Sequence, residues 1–149
     1  MPTAKINNDL IGIAGVHFVA YRLSLRGLIA LPTIRNTAGM DLLVCDPATG
    51  KESAVQVKAS QKKVPFWPTS THTRALKSAN GVYVFLRYLK SADTFEAFLE
   101  PAGIVAAKIQ ANEAAYKAKG HAHFPYWDLP DTPAERQRLI DAWNDWKPV

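Results

Sequence analysis

The stretch GMDLLVCDPATGKESAVQVK at residues 39–58 constrains the fold more than any other part of the chain. Two strand-like runs, 40–46 and 52–59, flank Pro47-Ala48-Thr49-Gly50, whose residue types favour a tight turn. Loop length sets hairpin register. A four-residue loop pairs Asp46 with Lys51, and every cross-strand pair then sums to 97. Asp41 is thereby set opposite Gln56. Side chains alternate along a strand, so Gln56 and Lys58 share one face while Val55, Val57 and Ala59 take the other. Facing side chains on one face lie roughly 4.5–5.5 Å apart at Cβ. Asp41, Gln56 and Lys58 are therefore predicted to meet in one patch.

Such a patch suits phosphodiester hydrolysis. A carboxylate binds a hard divalent cation through oxygen, and the cation polarises a phosphoryl oxygen and acidifies a bound water. A neighbouring lysine orients that water and steadies developing charge. Gln56 offers a neutral amide oxygen and Val57 its backbone carbonyl. The alternative is structural: Asp41 caps the turn that follows residues 36–39, and Lys58 is a surface charge on an edge.

The rest of the chain supplies a frame for the hairpin. Residues 8–26 place apolar side chains at 13, 16, 20 and 23, a helical period, with Asn7, Asn8 or Asp9 as cap and Gly27 as stop. A short strand at 28–34 leads into a polar turn at 35–39. Residues 60–80 read as an irregular loop with one helical turn near 74–78. Further strands are predicted at 81–88 and 94–99, joined through KSAD. Pro101 opens a helix to about residue 119. After a loop at 120–131, Thr132 to Glu135 form a capping box for a last helix to about residue 146. Trp127, Trp143 and Trp146 are expected to pack that helix onto the sheet. The pattern predicts an α/β fold, a mixed sheet flanked by helices, and 149 residues make one domain with a real core.

Charge is unevenly spread. Residues 51–90 hold eight basic side chains against one acid, Glu52, a balance of +7; the chain as a whole is +5, so the remainder sums to −2. That asymmetry points to a polyanion-binding face, against the plainer reading of a solvated lysine-rich surface. Lys62, Lys63, Arg74 and Lys77 are the candidate phosphate contacts, and Trp67, set between Pro65 and Pro68, either stacks on an unpaired base or pins a loop. His121 and His123 lack a third nearby ligand and read as ordinary loop. One cysteine, Cys45, excludes an internal disulfide and points to a reducing cytoplasm; alternation sets it on the Asp41 face. No apolar run reaches membrane-spanning length, and the first ten residues lack the layout of a signal peptide.

Residues 12–60 resemble the core of the PD-(D/E)XK nuclease superfamily: a helix, a strand, then a hairpin bearing Asp and (D/E)-x-K. The similarity lies in Gly15-Val16-His17-Phe18-Val19-Ala20, Leu23 through Gly27, Gly39-Met40-Asp41-Leu42-Leu43-Val44 and Val55-Gln56-Val57-Lys58. The YVFL and FLEPAGIVAAKI stretches and the tryptophan-ending tail are similar to small stand-alone members. The resemblance implies a restriction-endonuclease-like fold and cleavage of DNA or RNA dependent on Mg²⁺ or Mn²⁺. It makes Asp41 the main metal ligand, Gln56 and the Val57 carbonyl auxiliary ligands, and Lys58 the water-positioning residue. Two positions depart from the pattern. Gln56 stands where most members carry an acid. Val16 falls at the first-helix glutamate, and His17 points roughly 100° away from it. Both departures favour the alternative of an inactive module of the same fold, binding nucleic acid or a protein. A homodimer joined through an edge strand, with DNA across both subunits, fits either reading.

Overall fold

A computed structural model describes residues 4–34 and 39–149. The turn expected at 35–39 lies outside the described residues except for Gly39, and so does the capping of that turn by Asp41. Helix α1 (Asn8–Leu25) leads to β1 (Ile29–Pro32), β2 (Leu42–Cys45) and β3 (Glu52–Ser60). A short strand, β4 (Phe66–Pro68), and a 3₁₀ turn (His72–Arg74) precede β5 (Val82–Leu89) and β6 (Thr94–Pro101). Helix α2 (Ala102–Ala118), β7 (Tyr126–Asp128) and α3 (Pro133–Asp145) complete the chain. None of the described helices is long and apolar enough to cross a membrane.

The main sheet runs β1-β2-β3-β5-β6. Only β3 and β5 are parallel; the other neighbours are antiparallel, which makes the sheet mixed. Joining two parallel strands requires a crossover. Here residues 61–81 supply it without a regular α-helix, and β4 inside it pairs with β7 as a separate two-stranded ribbon.

Alternation along β3 and β5 divides the core between the two faces of the sheet. Val55, Val57, Val84 and Leu86 meet Val19 and Leu23 of α1. Tyr83, Phe85 and Phe98 meet Trp67, Trp127 and the α2 residues Val105 and Ile109. Phe85 and Trp127 stack with ring centroids 3.8 Å apart. Trp143 joins the α1 side under the Arg26 guanidinium with Trp146 packed beside that core, while Trp127, on β7, shares the other core with Leu139 of α3.

Helix α1 is capped by Asn7, whose side chain accepts from the Asp9 amide, and it ends before Gly27 at φ +82°, as the stop signal implies. Its buried stripe is Ile11, Gly15, Val19 and Leu23; of the expected 13, 16, 20 and 23, Leu23 is buried, Val16 and Ala20 are half-buried against the core, and position 13 faces out. Ile13 is 51% exposed. The cause is Gly15: a Cβ there would lie 2.9 Å from the Ala59 Cβ and 3.1 Å from Leu86 Cδ1, so the helix backbone lies directly on the sheet. At the other end, Thr132 caps α3 as expected, accepting from the Glu135 amide and donating to its carboxylate.

Candidate active site

The β2–β3 register is the one the turn dictates. Leu42 faces Val55 and Cys45 faces Glu52, each pair summing to 97. Asp41 lies one residue before β2, and its amide donates to the Val55 carbonyl at 2.9 Å, which holds it across from Gln56. Its Oδ2 accepts two hydrogen bonds, from Gln56 Nε2 and from the Val57 amide, each 2.8 Å. Gln56 Nε2 also lies 3.5 Å from the Val57 carbonyl oxygen. The Asp41 carboxylate and the Val57 carbonyl therefore face one point, held by the Gln56 NH₂.

Burial pushes the Asp41 carboxyl above its ordinary range, opposed by the Val57 hydrogen bond and the positive charge of Lys58. The same burial lowers the Lys58 ammonium, with Asp41 acting against it. Lys58 thus holds its proton less firmly than a lysine in water.

The parallel pairing of β3 with β5 sets Tyr83 beside Gln56. Burial raises the Tyr83 hydroxyl, while the Leu76 amide donates to it at 3.0 Å and acts in the other direction. An open cleft of about 660 Å³ lies over these groups, lined by Asp41, Gln56, Lys58 and Tyr83 on the sheet and by Arg74 and Lys77 on the crossover. Arg74 and Lys77 are exposed, so three cations face one carboxylate, a surface that attracts phosphate.

Other candidates separate from this cleft. Lys62 and Lys63 are exposed just beyond β3 and line none of it. Trp67 is 1% exposed, its indole N–H donating to the Leu86 carbonyl at 2.9 Å, so it pins β4 to the core and has no face for a base. The helical turn expected at 74–78 forms earlier, at His72–Arg74. Cys45 is half-buried on the Asp41 face and outside the cleft. Asp46 turns into the hairpin, accepting from the Ala48 amide, and does not supplement Asp41. Val16 is half-buried on α1, which covers the opposite face of the sheet, and His17 is exposed.

No three His, Cys, Asp or Glu side chains gather as a metal group among the described residues. The set at Asp41 fits a hard divalent cation in ligand type, with oxygens from a carboxylate, an amide and a carbonyl. It carries one formal negative charge, so it fits an ion that keeps most of its water. Tyr83 escaped the sequence reading. The run GVYVFLRY marked a buried strand, but only the β3–β5 pairing brings Tyr83 to Gln56.

Neither a family model nor a curated protein matches the chain. Among solved structures it is similar to the bacterial homing endonuclease I-Ssp6803I, at 14% identity and a TM-score of 0.49, over 87% of this chain and 80% of that one.

Proposed function

We propose that the protein is a metal-dependent nuclease of the PD-(D/E)XK kind, hydrolysing phosphodiester bonds of DNA or RNA in the Asp41–Lys58 cleft. Its support is the meeting of Asp41, Gln56 and Lys58 with the exposed Arg74 and Lys77 around one opening. Arg74 and Lys77 neutralise the phosphates flanking the bond to be cut. Asp41, the Gln56 amide oxygen and the Val57 carbonyl would hold Mg²⁺ or Mn²⁺, which supplies Lewis acidity and a more acidic water when bound. For Gln56 this means turning its amide, because its NH₂ faces Asp41 Oδ2. Lys58, with its ammonium acidified by burial, orients the attacking water and helps take its proton. The test is incubation of the purified protein with DNA and RNA in Mg²⁺ or Mn²⁺. Cleavage abolished by Asp41→Asn supports the proposal; cleavage unaffected by Asp41→Ala or Lys58→Ala overturns it.

A second reading, nucleic-acid binding without turnover, is favoured by one observation. The Gln56 NH₂ already satisfies Asp41 Oδ2, and Asp41 is the one acid among the described residues lining the cleft. It requires salt-sensitive binding and no metal-dependent hydrolysis.

A further inference from the structure

The two exposed cations of the cleft sit on residues 70–77, a segment whose regular structure is limited to the 3₁₀ turn His72–Arg74. A segment of this kind holds its side chains in place only where something outside it fixes the backbone. Burial of Ala75 and Leu76 in the core anchors it, and two side chains tie its backbone by hydrogen bonds. Glu113 of α2 takes the His72 amide on Oε1 at 3.1 Å and the His72 ring Nδ1 on Oε2 at 3.0 Å, so both carboxylate oxygens grip one residue. Tyr83 of β5 accepts the Leu76 amide at 3.0 Å. The first tie lies two residues before Arg74 and the second one residue before Lys77. Gly81 lets the sheet side come close. A Cβ there would be 2.8 Å from Leu76 Cδ2.

We infer that Glu113 and Tyr83 are positioning residues that hold Arg74 and Lys77 over the cleft, so that phosphate binding depends on a carboxylate on α2, outside the cleft itself. The inference rests on the proposed nucleic-acid function, and it adds a residue on α2 to the site's determinants. Glu113 does not line the cleft; it acts through its hydrogen bonds to His72. Releasing the segment leaves both cations on the protein but lets them swing away from the phosphate track.

The experiment measures binding of a short fluorescein-labelled DNA duplex as a function of salt, for wild type, Glu113→Ala, Glu113→Gln and Tyr83→Phe. Each phosphate contact contributes about 0.9 to the slope of log K against log salt. Glu113→Ala and Tyr83→Phe are expected to weaken binding and to reduce the slope by about 0.9–1.8, for one or two lost contacts. Glu113→Gln keeps an oxygen for the His72 amide and is expected to restore most of the slope. A loss of stability alone would lower the melting temperature and leave the slope unchanged. Amide hydrogen exchange provides a readout free of nucleic acid: His72 should exchange faster in Glu113→Ala, and Leu76 in Tyr83→Phe. Wild-type binding with an unaltered slope in Glu113→Ala overturns this inference and spares the proposed function. Unaltered exchange at both amides overturns the tethering itself. A wild-type protein without salt-dependent binding overturns the function and this inference with it.

Discussion

The double acceptor role of Asp41 Oδ2 makes the contrast between Asp41→Ala and Asp41→Asn informative. Alanine leaves the Val57 amide and Gln56 Nε2 without their acceptor. A buried donor left unpaired costs about 1–3 kcal/mol. The Val57 amide is fixed in the strand and takes that loss, whereas the Gln56 amide can turn toward the cleft. Removing a carboxylate that burial disfavours returns part of the loss. The balance for alanine is a destabilisation of about 1–3 kcal/mol. Asparagine keeps an oxygen where Oδ2 stood and removes the charge, so its change is expected to stay within about 1 kcal/mol. For a chain of this size each kcal/mol moves the melting temperature by about 2–4 °C. With asparagine close to wild type, alanine should melt below it by roughly 2–12 °C, followed by circular dichroism at one pH and salt concentration. Equal melting temperatures, or a less stable asparagine variant, would refute the knot at Oδ2.

Burial also sets the pH dependence of the site. The Asp41 carboxyl is raised above its ordinary 3.8, so the folded state holds that proton longer and its contribution to stability falls as pH climbs from 3.8 through the raised value. Urea unfolding should show wild type losing ground to Asp41→Asn across that window and running parallel to it above. The Lys58 ammonium is lowered from 10.5, so its charged form works against the fold at neutral pH and stability recovers as pH rises through the lowered value to 10.5. Lys58→Met is accordingly expected to be more stable than wild type at pH 7, to lose that advantage above 10.5, and to lose cleavage; reduced stability at pH 7 in denaturant melts would contradict this. Trp67→Ala should cost about 3–5 kcal/mol and leave the salt slope of nucleic-acid binding unaltered, as a core residue does; a lowered slope would restore it to the binding face. Gly15→Ala, normally favourable in a helix, should destabilise by about 1–3 kcal/mol because its Cβ meets Ala59, measured by the shift in urea midpoint.

The site's hairpin was legible because two local rules fix it. The Pro47–Gly50 turn sets register, and strand alternation sets faces, so Asp41, Gln56 and Lys58 could be brought together from sequence alone. The buried face of α1 was legible only in part, through Leu23, Val16 and Ala20, because its closest contact residue is Gly15, which has no hydropathy to register. Trp67 misleads for a related reason. Flanking prolines and lysines give it the surroundings of an exposed loop, while pairing between β4 and β7, whose partners are 58 or more residues apart in sequence, turns its indole inward. Tyr83 and Glu113 depend on the β3–β5 crossover and on the packing of α2, long-range choices that no local pattern encodes. Arg74 and Lys77 stand out by charge and by spacing on one face of the expected helical turn, yet what holds them over the cleft is visible only in three dimensions.

The proposed function has Asp41 and Lys58 acting together on a phosphodiester. Its most direct test is the single-turnover cleavage rate with protein in excess over labelled DNA or RNA in Mg²⁺ or Mn²⁺, for wild type, Asp41→Asn and Lys58→Met, each confirmed to be folded. The prediction is a metal-dependent wild-type rate that falls by about 100-fold or more in each variant, a loss of about 2.7 kcal/mol in transition-state stabilisation. Rates within a fewfold of wild type in both variants, or cleavage that persists in EDTA, would contradict it.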